Sequence, residues 1–398
     1  MYKPVKVVEV FIWGRRVGAL MHDYDQYSVF EYDHEFRKSG IELAPFTMPL
    51  AQSVYHAEDF RLPSAMFSGL PGMIADSLPD SFGNLLVRKY MENEQIDIRQ
   101  ITPLDRLAYV GSRGMGALTY KPAMRGNDSM PSAIDMRDLV DQSRLAMNGL
   151  LGEMKGVDAL REIIRVGTSA GGAQAKAVVG WNRETNQFVA GVGDLPDGFE
   201  HWLVKFTPNG VEDAGEKEFR IYEQARAAGV VMSESRLFEL DGVKHFMTRR
   251  FDREGNRRHH VQTLCALQHV GHSSPREAKC YELLFRTAID LGLEYESLEQ
   301  LFRRMAFNVL IEEVDDHTKN FSFLLRESGK WELAPAYDLT GCHFSVEDKN
   351  FNAWSNPHVL SVNGKTGNIT DDDLLLVAER FGIGTASRVL EEVREATR

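Results

Sequence analysis

Cysteine is scarce in this chain: Cys265, Cys280 and Cys342 are the only three in 398 residues, and no two of them form a CxxC pair. That excludes a disulfide framework and a cysteine-based zinc spacing, and it makes a reducing cytoplasm the expected setting. Long apolar runs are missing as well, with nothing near the ~18 consecutive apolar residues of a membrane helix. The opening stretch, MYKPVKVVEVFIWGRR, lacks the apolar core of a secretory signal, so a soluble cytoplasmic protein is expected. Positive charge is not in excess either. The net charge is −12 and the pI about 5.5, which argues against a broad nucleic-acid footprint on this chain. One local basic run, RRFDREGNRRHH (249–260), is read as a solvated turn between two strands. No internal repeat or low-complexity tract is present.

What remains is an ordinary globular composition, 43% hydrophobic and 26% charged, in a chain long enough for two or three domains. The first ~120 residues read as β-rich. KVVEVFIWGRRVGAL has the pattern of a hairpin with a Gly-containing turn, and SVFEYD continues it. Asp80 or Ser81 could cap a helix carrying Phe82, Leu85, Leu86 and Tyr90 on one face. Residues 123–135 are rich in turn formers, and a helix pair is expected over 135–165. A second β region follows, with AKAVVGW, QFVAGV, HWLVKF and KHFMTRRF as strands around one helix, EKEFRIYEQARAAG. From about residue 262 helical periodicity dominates, starting at VQTLCALQHVG and interrupted by the hairpin pattern FSFLLRESGKWELAP. The expected fold is therefore α+β, a two-lobe arrangement. Its expected parts are a β-rich subdomain (1–125), linker helices with a β lobe and Gly-rich loop (126–248), and a mostly helical lobe (249–398).

Five features in chain order have the residue types that phosphoryl transfer needs. GTSAGGAQAK (167–176) places Ser169, Ala170, Gly171 and Gly172 in a loop whose backbone amides could approach an anion closely. Lys205 in HWLVKF puts an ammonium on a strand face shared with leucine, where nucleotide phosphates and a carboxylate could pair it; protection of a sheet edge is the competing explanation. Glu218 on the next helix is a candidate partner for that lysine, with Glu216 and Glu223 as competitors. Asp315 and Asn320 in VDDHTKN reproduce the D-x-x-x-x-N spacing of a base and a metal-binding amide in kinase catalytic loops. Asp338 in LAPAYDLT stands one hairpin later, where a kinase holds its chelating aspartate. A carboxylate and an amide oxygen suit Mg²⁺, which takes few protein ligands and retains waters and phosphate oxygens.

These residues resemble a known family, the HipA-like serine/threonine kinases that form the toxin half of bacterial type II toxin–antitoxin pairs. Its S-x-x-G-A-Q-x-K motif is similar to Ser169–Lys176, its D-x-H-x-K-N to Asp315–Asn320, and its L-x-P-x-Y-D-[IL] to Leu333–Leu339. RFDR at 250–253 and the stretches Leu78–Gly83 and Gly111–Ala117 also fit, so the resemblance covers nearly the whole chain. It implies a protein-kinase-like fold with an added N-terminal subdomain, and an ATP- and Mg²⁺-dependent protein kinase. Asp315 would act as base, Asn320 and Asp338 as metal ligands, and Lys205 as phosphate ligand. Ser169, Ala170, Gly171, Gly172, Lys205, Glu218, Phe251, His317, Asn320 and Asp338 would surround the nucleotide, and Ser169 would be the autophosphorylated serine. A separate helix-turn-helix antitoxin that binds operator DNA is implied as partner, and an aminoacyl-tRNA synthetase as substrate class. Asp316 does not fit easily, because a second carboxylate beside the base would repel ATP or raise the base's pKa unless it points to solvent. A small-molecule or lipid kinase on the same scaffold, and a catalytically silent corepressor, are the competing functions.

Overall fold

The computed structural model describes residues 2–22, 28–60, 62–79, 81–123, 131–147, 174–208, 210–211, 213–271, 274–341 and 357–398. The chain divides into two compact units, Met1–Gly215 with Arg236–His260, and Glu216–Ser235 with Val261–Arg398.

The first unit opens with an antiparallel sheet of β1 (Val7–Ile12), β2 (Arg15–His22), β3 (Ser28–Tyr32), β4 (Val54–His56) and β5 (Leu118–Lys121), in the order β4-β3-β2-β1-β5. The expected hairpin forms because Trp13 and Gly14, with φ of 48° and 76°, make the two-residue turn whose twist matches paired strands. Alternation then buries Val8, Val10 and Ile12 on one face of β1. The second sheet comprises β6 (Lys176–Asn182), β7 (Gln187–Ala190), β8 (Phe199–Lys205), β9 (Ser235–Leu240) and β10 (Val243–Arg249), in the order β7-β6-β8-β10-β9. Its apolar face carries Val179, Trp181, Trp202, Val204 and Met247. These join Phe82, Leu86 and Tyr90 of helix Ser81–Asn93 and Leu139 and Val140 of helix Met136–Met147 in one core. Burying each such side chain contributes roughly 1.5–3 kcal/mol. Trp181 and Trp202 meet edge to face, with ring centroids 5.3 Å apart.

The basic run 249–260 is not the solvated turn its composition suggests. Asp252 is fully buried and accepts from Arg250 Nε at 2.9 Å, from Arg250 Nη2 at 2.7 Å and from the Gly116 amide at 2.7 Å, with Arg253 as a second cationic partner. Arg253 and Arg258 donate in turn to the carbonyls of Gly114 and Gly116, and Arg258 to that of Ser112. The RFDR and Gly111–Ala117 motifs, which read as separate signals in the sequence, thus bind each other. Burial alone would raise the Asp252 carboxyl, but Arg250 and Arg253 hold it well below the usual carboxylate range. The run forms a short hairpin of β11 (Arg253–Glu254) and β12 (Arg257–Arg258), and of its arginines only Arg249 and Arg257 are exposed.

The second unit is mainly helical, with helices Ala214–Ala227 (from Glu216), Leu264–Gln268, Tyr281–Asp290, Tyr295–Leu310, Asp371–Arg380 and Ala386–Thr397. A small sheet joins β13 (His260–Thr263), β14 (Ser322–Leu325) and β15 (Trp331–Leu333) in that order. The VQTLCALQHVG segment begins as β13 before turning helical, a departure from the purely helical expectation. Thr263 ends the strand by capping the helix, its side chain accepting from the Ala266 amide at 3.1 Å. The segment FRRMAFNVLI buries its arginines along with its apolar residues. Arg303 donates to Ala228 O at 2.7 Å and pairs with Glu392 at 2.8 Å, while Arg304 donates to Ala334 O at 2.7 Å. Burial pushes the Arg304 guanidinium down to about 10.

Candidate active site

The candidate catalytic loop is shaped by the way the preceding helix ends. At the C-terminus of Tyr295–Leu310, Glu312 adopts a left-handed φ of 57°, and the Glu313 amide donates back to Asn308 O at 2.8 Å. This reversal turns Glu313 inward, to 2% exposure. Its Oε2 accepts from the amides of Thr340 and Gly341, both at 2.7 Å, and its Oε1 from the Asp315 amide at 3.3 Å. Burial pushes the Glu313 carboxyl up, opposed by those three N–H donors and reinforced by the negative charge of Asp338.

Beyond this point the loop closes on itself. The Asp315 carbonyl accepts from the His317 amide at 2.8 Å and from Asn320 Nδ2 at 2.9 Å, and the Asn320 amide donates to His317 O at 2.9 Å. Thr318 Oγ1 ties the loop to Val270 O at 2.7 Å, and the Tyr337 hydroxyl ties it to Lys319 O at 2.6 Å. The Asp315 side chain remains 70% exposed, with His317 Nε2 3.9 Å away. Fixing Asn320 through its amide nitrogen leaves its carbonyl oxygen in a defined orientation. The D-x-x-x-x-N step therefore gives one outward carboxylate and one oriented amide.

Asp316 does not face solvent, and although it borders the same pocket as Asn320 and Asp338, its carboxylate is already engaged. It is 1% exposed and accepts from Tyr281 Oη at 2.8 Å, the Val359 amide at 2.8 Å and the Leu360 amide at 3.2 Å, with His358 Nδ1 at 3.0 Å. The carboxylate is used as an internal anchor, its oxygens taken up by a hydroxyl, two amides and an imidazole.

Asp338 also has an unusual backbone, at φ 56°. Left-handed conformations cost a non-glycine residue roughly 1–3 kcal/mol and collect at functional sites. Asn320 and Asp338 line one pocket together with Asn308, Glu313 and Tyr337, and its free interior of about 10 Å³ is room for a single water-sized sphere. Asn308 Oδ1 is buried there and accepts no hydrogen bond among the described residues. Oriented amide and carboxylate oxygens with an unsatisfied acceptor nearby fit a hard divalent cation. No group of three or more His, Cys, Asp or Glu among the described residues could hold a metal by itself. The donor set therefore suits an ion that takes most of its ligands from water and phosphate.

The other predicted residues lie in different places. Lys205 belongs to the first unit, is 7% exposed, and sits on β8, the central strand of its sheet, so edge protection does not explain it. Directly across the ladder stands Lys176, 4% exposed, which gives two buried lysines on one sheet face. The sequence signal for Lys176 was available, since it closes the S-x-x-G-A-Q-x-K motif. Phe251 is half-buried in the same unit, between Arg250 and Asp252. Glu218 is buried on a helix of the second unit. Ser169, Ala170, Gly171 and Gly172 lie outside the described residues. Glu313, Asn308 and Tyr281 were not singled out by sequence reading, because nothing in a single chain marks which loop carboxylate turns inward.

Comparison with known proteins agrees with this architecture. A profile of the HipA-like C-terminal domain matches residues 168–398, and one of the HipA N-terminal domain matches residues 8–121. A Sinorhizobium fredii protein with the provisional name kinase Y4dM is 24% identical over 414 residues, spanning 98% of this chain and 91% of its own. A chain from the Shewanella oneidensis MR-1 toxin–antitoxin complex of HipA, HipB and operator DNA has the same fold, with a TM-score of 0.69 at 16% identity, covering 98% of this chain and 89% of that one. No helix among the described residues is long and apolar enough to cross a membrane. With one profile matching more than half of the residues and a second matching the N-terminal part, the chain belongs to the HipA-like family.

Proposed function

We propose that this chain is an ATP- and Mg²⁺-dependent protein serine/threonine kinase, the toxin of a type II toxin–antitoxin pair. The observation that carries the reading is the composition of the loop and pocket in the second unit. An exposed Asp315, an Asn320 oriented by the Asp315 carbonyl and a left-handed Asp338 occupy the chain positions that phosphoryl transfer requires. Asp315 would orient the acceptor hydroxyl and take its proton as the bond to phosphorus forms. Its exposure leaves it open to a protein substrate. Asn320 and Asp338 would hold the cation, which when bound neutralises phosphate charge. Lys176 and Lys205, opposite each other on one sheet face, would hold the polyphosphate. Glu218, Phe251 and His317 would contribute to nucleotide binding, as the family resemblance implies.

Ser169 would be the site of autophosphorylation. A phosphate there adds about −1.5 to −2 charge where ATP's own phosphates would bind, and so would silence the enzyme. The partner would be a HipB-like antitoxin that binds DNA, and the substrate a translation protein of the aminoacyl-tRNA synthetase class. The test is incubation of the chain with labelled ATP and Mg²⁺, followed by phosphosite mapping. Label on Ser169 is expected, and Asp315→Ala is expected to lower its rate by roughly 10²–10⁴-fold. Turnover of a small hydroxyl compound or lipid without protein label would favour a small-molecule or lipid kinase. Absence of both nucleotide binding and label would leave a silent corepressor.

A further inference from the structure

We propose that Glu313 is the positioning residue that fixes Asp338 for divalent-cation binding, and that it does so as a hydrogen-bond acceptor and not as a charge or a ligand. The inference rests on the reading of Asp338 as a cation ligand. Asp338 holds a left-handed backbone that side chains rarely adopt, at φ 56°, followed three residues later by Gly341 at φ 64°. Such a turn keeps its shape only when the surroundings over-determine it. Two consecutive amides of the turn, Thr340 and Gly341, converge on a single oxygen of Glu313, each at 2.7 Å. Thr340 Oγ1 adds a longer contact to the same oxygen at 3.4 Å.

Glu313 is itself immobile. It is 2% exposed, its amide is spent on Asn308 O at 2.8 Å, and its other carboxylate oxygen accepts from the Asp315 amide at 3.3 Å. One buried carboxylate therefore connects the residue that would take the proton to the turn that would hold the cation. With Oε2 occupied by two amides and Oε1 by a third, little of the carboxylate is left to coordinate an ion directly. Groups that orient a metal ligand from behind commonly matter to affinity about as much as the ligands do.

Two substitutions separate positioning from charge. In Glu313→Ala the Thr340 and Gly341 amides lose their acceptor, and Asp338 is released to other backbone states. In Glu313→Gln one amide oxygen can still receive both donors, while the NH₂ group faces the Asp315 amide, donor against donor. The measurement is Mn²⁺ binding by electron paramagnetic resonance, with a non-hydrolysable ATP analogue present, so no turnover is needed. Glu313→Ala is expected to weaken Mn²⁺ binding by about tenfold or more, and Glu313→Gln by no more than about threefold. Hydrogen exchange at Thr340 and Gly341 should be fast in the alanine variant and near wild type in the glutamine variant.

Equal losses in both variants would show that the charge itself acts on the cation and would overturn the proposal. So would unchanged Mn²⁺ affinity in a folded alanine variant. If the alanine variant does not fold, the glutamine variant decides alone, since a tenfold loss there contradicts positioning. A wild-type chain that binds neither Mn²⁺ nor nucleotide would instead refute the kinase reading. Slow exchange of the two amides, lost in Glu313→Ala, would in that case still assign the turn to Glu313, and rapid exchange in the wild type would refute that as well.

Discussion

Replacing Asp316 with alanine is expected to cost about 3–5 kcal/mol of stability, the range found when one partner of a buried ionic or hydrogen-bonded group is deleted. The same change at Asp315, one residue earlier, is expected to cost less than about 0.5 kcal/mol, as for an exposed side chain. The two aspartates are adjacent in sequence but opposite in environment. Asp316 is 1% exposed and gathers a tyrosine hydroxyl, two backbone amides and an imidazole. Its deletion strands the Val359 and Leu360 amides and breaks the chain of donors from Asn308 Nδ2 to Tyr281 Oη to the carboxylate. Asp315 has a side chain 70% exposed, so its removal should leave the fold intact and act on turnover. Asp316→Asn should lie between the two, because an amide oxygen can still accept from Val359 and Leu360 while its NH₂ meets Tyr281 Oη. Urea unfolding of the three variants at pH 7 measures the difference. Equal midpoints for the two alanine variants would remove the anchor role from Asp316.

This contrast also marks how much the sequence could reveal. Elements whose burial repeats with a regular period were legible. The hairpin around Gly14, the helix Tyr295–Leu310 and the β14–β15 hairpin all form from stretches whose apolar spacing announces them. The five-residue step from Asp315 to Asn320 was legible for a different reason: it is a local constraint, satisfied by a loop whose own carbonyl holds the asparagine. What could not be read was the direction of side chains in non-repeating backbone. Glu313, Asp315 and Asp316 are three carboxylates within four residues, and composition gives no basis for deciding which faces out. That choice is made by the reversal at Glu312 and by amides some 27 and 43 residues further along the chain. The arginines of the 249–260 run pose the same difficulty. They look solvated until the Gly111–Ala117 carbonyls, more than 130 residues earlier, are brought beside them. Long-range polar pairing leaves no periodic trace, whereas apolar burial does.

Acidification is expected to destabilise the first unit steeply, beginning at about pH 6.5, the ordinary histidine value. Three buried histidines of that unit are held neutral. Burial, followed by the charges of Arg250 and Arg253, pushes His201 down to about 3. Burial, followed by Arg144, pushes His245 down to about 4, and burial does the same to His260, also to about 4. Because these folded-state values are depressed, the unfolded chain takes up protons first as pH falls. The stability these groups contribute is complete above about pH 6.5 and is lost progressively toward pH 4. Each such group contributes a slope of up to about 1.4 kcal/mol per pH unit, so three give about 4 kcal/mol per unit in the middle of that window. Two pH units of that slope remove about 8 kcal/mol, a large share of the roughly 5–15 kcal/mol of an ordinary fold. In the second unit the half-buried His269, pushed down to about 4 by burial, acts in the same direction with a smaller weight. Trp181 and Trp202 lie in the core of the first unit, so tryptophan fluorescence during urea unfolding reports mainly on it. Midpoints should drop sharply between pH 6.5 and 5, and His201→Gln should reduce the slope by about 1.4 kcal/mol per pH unit. A midpoint that stays level from pH 7 to 5 would mean that neither burial nor the guanidinium groups of the Asp252 network keep His201 neutral, and that burial of the other two is less complete than their packing implies.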